Sequence, residues 1–448
     1  MNIKRVLDEA ASNLMIEKPV IKILKEESKR VVSILKEELK KSKVSAEVFI
    51  GGSFAKNTLI KGEFYDVDIF VRFDWRYEKL SEILERVLEK IAKKNKLKLE
   101  SLHGSRDYFR IIIRDNIIFE IVPVVKIKKP KEARNVTDLS YFHVNYVKNK
   151  IRKGNLSREI VLAKQFCKAR KIYGAESYVN GFSGYAIECL IINYKSFEKM
   201  LKELVKVKIG ERIVIDSAKH YKKKEDVLFE MNESKLGSPI ILVDPTWKER
   251  NALAALSRET FERFQDAAKK FLKHPSKEFF VIRKFDIQSF KNNARKSNAE
   301  LVKIEITTNK QPGDIAGTKM KKFSSYLEKE LRRYFDILEK EFEYSGENSA
   351  KLYLSAKSKG EIIRTGPPKD FEAHAKSFRK ANKNVFEKNG VLHARVKINF
   401  TAKKFISDFL KKYNKTIKSM GITGLELINS AEASRLLKSR QLLLRGNL

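Results

Sequence analysis

Long hydrophobic runs are missing from this chain of 448 residues. No stretch approaches the roughly 18–20 apolar residues that a membrane span needs. The first residues, MNIKRVLDEAASNL, lack the apolar centre of a signal peptide. Cysteine is nearly absent. Cys167 and Cys189 alone form neither a disulfide framework nor a zinc knuckle, and both read as small buried residues. A reducing cytoplasm is the expected setting. Acidic residues are short too: 57 Asp plus Glu stand against 94 Lys plus Arg, a formal net charge of +37. So large an excess spreads over much of the surface and calls for a polyanionic partner, nucleic acid ahead of an anionic membrane. Neither a short repeat nor an extended low-complexity tract stands out.

What is present is globular. The composition is 42% hydrophobic and 34% charged, and the length suffices for about two to four domains with substantial cores.

The most informative stretch is 51–73, GGSFAKNTLIKGEFYDVDIFVRF. Gly51 and Gly52 let the backbone approach a ligand closely, and Ser53 suits the N-cap of a short helix. Backbone N–H groups at such a start favour a phosphate. Residues 65–73 (YDVDIFVRF) read as a strand, which puts Asp66 and Asp68 on one face and Val67 and Ile69 on the other. Paired carboxylates on an apolar strand repel and are costly to desolvate, and a divalent cation relieves both. In the run NIIFEIVPVV (116–125), Glu120 is the lone charge, and three carboxylates on neighbouring strands make a two-metal platform for phosphoryl chemistry.

Periodicity places the remaining elements. Residues 3–43, 77–95, 157–171, 185–201 and 252–273 read as helices. Strands are expected at 44–50, 109–113, 239–244, 278–285, 299–308, 351–357 and 392–400. A long charged helix is expected over 319–343, with Phe323, Leu327, Leu331, Phe335 and Leu338 on one side. A shorter helix follows near 370–380.

Several separated blocks resemble the archaeal (class I) CCA-adding tRNA nucleotidyltransferases, members of the polymerase-β-like nucleotidyltransferase superfamily. They are GGSFAKNTLIKG with DVDIFVRF, EIVPVVKI, VTDLSYFHVNYV, YGAESYVNGFSGYAIECL, VDPTWKERNALAALS and GPPKDFEAHAKSFRK, in the family's order over nearly the whole chain. Gly-Ser with Asp-x-Asp is shared widely across the superfamily, whereas FSGY and the VDP…RN block are much narrower.

The resemblance implies an α/β and α+β multidomain enzyme. A polymerase-β-like nucleotidyltransferase head would span 1–148, and a helical neck that recognises the nucleotide 149–275. An α+β body and tail over 276–448 would grip the tRNA acceptor arm. Asp66, Asp68 and Glu120 match the positions that hold Mg2+, two ions in the expected mechanism. Ser53 and Lys56 match triphosphate-binding positions. His143, Lys164 and Tyr173 match contacts to the nucleotide's phosphates or sugar, and Arg250 matches the arginine that reads the base edge of CTP or ATP. The implied reaction is template-independent addition of C, C and A to the tRNA 3′ end. No membrane is involved, and a homodimer is left open. Two positions depart from the family: Glu120 replaces the usual Asp, and Lys56 an arginine, which exchanges a bidentate phosphate contact for a point charge. The segment HGSRDYFR (103–110) also differs, and the resemblance gives it no role.

Blander readings stand beside these. Asp66 and Asp68 also suit an exposed edge strand, and Glu120 a buried lysine or arginine partner. Ser53 is read first as a cap. On pattern alone His143 is structural, Lys164 part of a solvated face and Tyr173 a core aromatic. Two rival functions are a poly(A)- or oligoadenylate-type transferase, and a non-catalytic RNA-binding protein whose head has decayed.

Overall fold

The computed structural model describes residues 2–428 other than 103–105, 115, 155 and 209. The chain divides after Arg283 into two compact units.

The first unit opens with helices α1 (Ile3–Leu14) and α2 (Lys18–Lys41) rather than one continuous helix. Pro19 sits in the first turn of α2, where its missing N–H costs nothing, and Met15 closes α1 in extended conformation. The break lets the two helices serve different cores. Val6, Leu7, Ala10 and Ala11 of α1 join a helical core, while Leu24, Val31, Leu35 and Leu39 of α2 cover a sheet.

That sheet begins with β1 (Ala46–Ile50). The short helix α3 (Gly52–Ala55) leads on to β2 (Tyr65–Phe73). After α4 (Leu80–Asn95) come β3 (Lys98–Leu102), β4 (Tyr108–Arg114) and β5 (Ile117–Val125). The strand order is β1-β2-β5-β4-β3, and β2 with β5 is the parallel pair. Val67, Ile69, Val71 and Phe73 of β2 are fully buried beside Leu84 and Leu88 of α4. Strand alternation therefore turns Asp66 and Asp68 to the opposite face. Beyond β5, a 3-10 turn at Val136–Leu139 leads into α5 (Ser140–Gly154).

The helical core is built from α6 (Ser157–Ala169), α7 (Gly184–Tyr194) and α8 (Phe197–Leu204). The expected run 185–201 breaks at Lys195, whose φ of 65° stops α7 in the left-handed region. A small sheet follows: β6 (Ile213–Ile215), then helix α9 (Lys224–Glu230), then β7 (Ile240–Asp244) and β8 (Trp247–Asn251). Helix α10 (Arg258–Lys273) completes the core. There Phe166 meets Phe197, Phe264, Phe271, Phe279 and Phe280. The strand expected at 278–285 does not form. Lys277–Phe280 is a 3-10 turn, because Phe280 is drawn into this aromatic cluster instead of pairing.

The second unit contains α11 (Ile287–Lys296), β9 (Glu300–Thr307) and α12 (Asp314–Leu331). The long helix expected over 319–343 ends at Leu331, and β10 (Phe335–Tyr344) pairs antiparallel with β11 (Ser349–Ser358). Phe335 and Ile337 face the core at strand spacing, while Leu338 is exposed. Next come β12 (Glu361–Pro368), α13 (Glu372–Ala381), β13 (Asn384–Lys388) and β14 (Val391–Lys397), the strands forming a three-stranded sheet. Helices α14 (Ala402–Lys412) and α15 (Asn414–Ser419) precede β15 (Gly424–Leu427), which adds to the sheet β10-β11-β9-β15. Among the described residues, no helix is long and apolar enough to cross a membrane.

Candidate active site

The parallel register sets Asp66 opposite Ile118 and Asp68 opposite Glu120. Burial raises the Asp68 carboxyl to about 7, aided by the negative charges of Glu120 and Asp66 and opposed by Lys56. Burial also raises Glu120, against the pull of Arg110. Arg110, its partner across the β4–β5 pair, donates from Nε and Nη2 to Glu120 Oε1 at 2.9 and 2.6 Å. The arginine alternative for Glu120 is thus realised within the carboxylate row. As the side chains stand, no three His, Cys, Asp or Glu groups among the described residues converge to hold one ion. The donor set nevertheless suits a divalent cation: three acidic oxygen donors share one face, and burial, with repulsion from Glu120 and Asp66 added, lifts Asp68 toward neutrality.

The glycine turn is folded directly onto this row. Gly51 N donates to the Asp68 carbonyl at 2.8 Å. Gly52 has φ +59°, and a Cβ there would lie 1.6 Å from Asp68 Oδ2. Glycine is therefore required on two counts. Gly51, not Ser53, is the N-cap of α3, since the left-handed Gly52 starts the turn and carries Ser53 into the helix. The Ser53 carbonyl accepts from the Thr58 N–H at 2.9 Å, which draws 56–58 back under the turn.

There Lys56 and Lys164 share a carboxylate that the motifs did not single out. Glu188 is fully buried on α7. Its Oε2 accepts from Lys56 Nζ at 2.7 Å, and its Oε1 accepts from Lys164 Nζ at 2.7 Å and from the Thr58 hydroxyl at 3.1 Å. Lys164 also donates to Thr58 Oγ1 at 2.9 Å. Burial would raise the Glu188 carboxyl, but Lys164 and Lys56 outweigh it and hold it at about 2. Burial lowers Lys164 to about 8, with the Lys56 charge adding to the effect and Glu188 opposing it. The same lone-charge argument applied to Glu120 would have found Glu188, the one acid in the apolar run AIECLII.

Tyr173 stands beside Lys164. A Cβ on Gly184 would come within 2.7 Å of the Tyr173 hydroxyl and 3.7 Å of Lys164 Cε. FSGY is thereby explained in full. Phe182 is core, Ser183 caps α7 by accepting from Ala186 N, Gly184 leaves room, and Tyr185 reaches a second buried acid.

That acid is Asp244, at the end of β7. Its Oδ2 is bonded to His143 Nε2 at 3.0 Å and accepts from Arg250 Nη1 at 2.7 Å. Its Oδ1 accepts from the Tyr185 hydroxyl and from the backbone and hydroxyl of Thr246, each at 2.8 Å. Burial lowers the His143 imidazole although Asp244 opposes the shift, so a neutral ring is favoured. His143 stacks on Tyr185 with ring centroids 3.8 Å apart. Asn251 completes the block by bridging Leu242 N and Leu253 N through Oδ1. Asp244 reads in sequence only as the start of a turn, which hid its role.

The structure thus joins Lys56 to Lys164 through Glu188, and His143 to Arg250 through Asp244. Tyr185 and Glu188, one turn apart on α7, connect the two clusters. Part of the unassigned segment 103–110 also gains a role. Arg110 partners Glu120, and Arg106 pairs with buried Asp138 while donating to the Pro123 carbonyl at 3.1 Å. Residues 103–105 lie outside the described set.

Nucleotidyl transfer is the chemistry to which such a site is suited, and the comparisons agree. Residues 29–136 match the nucleotidyltransferase domain family, and residues 158–281 match the family described as tRNA nucleotidyltransferase, second domain. The CCA-adding enzyme of Nanoarchaeum equitans is 33% identical over 360 residues, covering 79% of this chain and 86% of that protein. Those of Methanosarcina acetivorans and Saccharolobus solfataricus are 28% and 30% identical, over 87% and 83% of this chain and 86% of each relative. The chain belongs to the family of CCA-adding enzymes.

Proposed function

We propose that the protein extends the tRNA 3′ end with C, C and A from CTP and ATP, without a nucleic-acid template, releasing pyrophosphate at each addition. The observation that carries this reading is the Asp68–Glu120 register with the Gly51-Gly52-Ser53 turn folded onto Asp68, in a chain 33% identical to a CCA-adding enzyme.

In this reading the oxygen of the primer's terminal hydroxyl bonds to the α-phosphorus, its proton passes to solvent, and the bond from that phosphorus to the α–β bridging oxygen breaks, so that pyrophosphate leaves. Asp66, Asp68 and Glu120 would hold magnesium, two ions in our assignment, and Glu120 would turn from Arg110 to do so. Bound there, magnesium supplies charge neutralisation for the triphosphate and acidifies the attacking hydroxyl. Lys56 and Lys164 offer ammonium groups to the phosphates, and Ser53 lies in the adjoining turn. Tyr173, beside Lys164, takes the sugar–phosphate end. His143, its Nε2 turned to Asp244, leaves Nδ1 for the nucleotide. Asp244 engages one terminal nitrogen of Arg250, leaving its other donors for the base edge. Holding the reactants in line accounts for much of the rate, and electrostatic stabilisation for much of the rest.

We assign catalysis to a head over 1–148, nucleotide recognition to 149–275 and the grip on the acceptor arm to 276–448, in a cytoplasmic enzyme. A homodimer is compatible with this assignment.

The test uses tRNA transcripts lacking CCA, CA or A, incubated with labelled CTP, ATP or both. CTP alone should add two residues to the first transcript, both together should add CCA, and extension should then stop. Long A tails would move the function to a poly(A)-type transferase, and tRNA binding without incorporation to a decayed head.

A further inference from the structure

Two lysines share one carboxylate in a buried place, and the balance is uneven. Lys56, Lys164 and Glu188 come from the end of α3, from α6 and from α7. All three are buried, with Glu188 fully so. A purely structural ion pair needs one cation per anion, because an unmatched charge removed from water is costly. Here Asp68 lies close enough to act on Lys56, yet bonds neither lysine, so Glu188 alone holds both. One positive charge is left over next to Tyr173 and the helix start at Gly184, where a Cβ would fall 2.7 Å from the Tyr173 hydroxyl and 3.7 Å from Lys164 Cε. An anion is the ligand that completes such a balance.

We propose that Glu188 is a positioning residue: it sets the Lys56 and Lys164 ammonium groups side by side as a clamp for the nucleotide triphosphate. The inference deepens the functional reading above and rests on its assignment of the two lysines. Each carboxylate oxygen takes one ammonium group, so the spacing of the two cations is fixed by the width of the carboxylate. Thr58 closes the ring by bonding both Glu188 and Lys164, which limits the rotation of each. The low Glu188 value is consistent with a carboxylate that stays ionised throughout the working pH range.

The experiment compares wild type with Glu188→Gln by equilibrium binding of ATP with magnesium, of AMP, and of tRNA. A clamp for phosphates predicts ATP affinity lower by about 10-fold or more, with AMP and tRNA affinities unchanged within about 2-fold. Equal losses for all three ligands would mark Glu188 as a packing residue and overturn the proposal, as would unchanged ATP affinity. Glu188→Gln leaves two buried ammonium groups facing each other and risks misfolding. The double variant Glu188→Gln/Lys56→Met removes that repulsion. It should fold and bind ATP more weakly than Lys56→Met alone, with AMP and tRNA affinities level between the two, and equal ATP affinity in the two would contradict the clamp. Because binding is measured apart from turnover, the outcomes separate. A wild type that adds no nucleotide to tRNA removes the functional reading, whereas an active wild type with an indifferent Glu188→Gln removes only the clamp.

Discussion

Single atoms set the limits of this site. A methyl group at Gly52 has no room beside Asp68 Oδ2, and the left-handed backbone there disfavours any side chain. Gly52→Ala should therefore abolish nucleotide incorporation while sparing tRNA binding, measured by primer extension and filter binding. Lys164 gives a pH signature. Its neighbours are Glu188 and Tyr173, Lys56 beyond the carboxylate, and Lys168 on its own helix. Its ammonium, lowered to about 8, is lost as pH rises through that value. The KM for CTP and ATP should then rise above pH 8 while the KM for tRNA stays level. Unfolding is not the cause, because an unfolded chain keeps that proton to about 10.5 and stability rises with pH across the interval. Glu188 has the opposite sign. With its carboxyl held at about 2 rather than 4.5, its contribution to stability is complete above 4.5 and lost as pH falls toward 2. The gap in urea midpoint between wild type and Glu188→Gln should narrow over that range.

Elements show which parts of the fold sequence could reveal. Asp66 and Asp68 are legible because alternation along β2 is local, whereas the parallel pairing that sets Asp68 beside Glu120 is a long-range register that the two apolar strands leave open. Glu188 and Asp244 are hidden because each ties together side chains that lie far from one another in sequence. Glu188 joins Lys56, 132 positions away, to Lys164, and Asp244 joins His143, 101 positions away, to Arg250. The segment FDILEKEFEY satisfies a helical period as readily as a strand's, and only pairing with β11 decides for β10. The break between α1 and α2 is marked in sequence by Pro19 alone, since both halves are amphipathic, and the two separate cores confirm it. At this scale Asp138 is the joint between β5 and the turn before α5. It is fully buried, pairs with Arg106 and accepts from the backbone of Val125, Arg134 and Asn135. Asp138→Ala should cost about 3–5 kcal/mol by urea unfolding, because the arginine is left buried without its anion.

For the whole molecule, charge is the dominant fact. A net +37 predicts tRNA binding governed by released counterions, with the logarithm of affinity falling linearly against the logarithm of salt. If about six phosphates are neutralised, affinity should drop about a thousand-fold between ~50 and ~200 mM salt. Transcripts differing in acceptor-stem sequence but not in shape should bind alike, since A-form helices are read largely through backbone and 2′-hydroxyls.

We place the centre of nucleotidyl transfer on the face shared by β2 and β5. This placement is tested most directly by adding labelled CTP and ATP to tRNA lacking CCA, with wild type beside Asp66→Asn, Asp68→Asn and Glu120→Gln. Wild type should add CCA, and incorporation should be lower by at least about a hundred-fold in Asp66→Asn and Asp68→Asn, with tRNA affinity retained in all three variants. Glu120→Gln should also lose incorporation. Near-wild-type incorporation by Asp68→Asn would place the centre of transfer elsewhere.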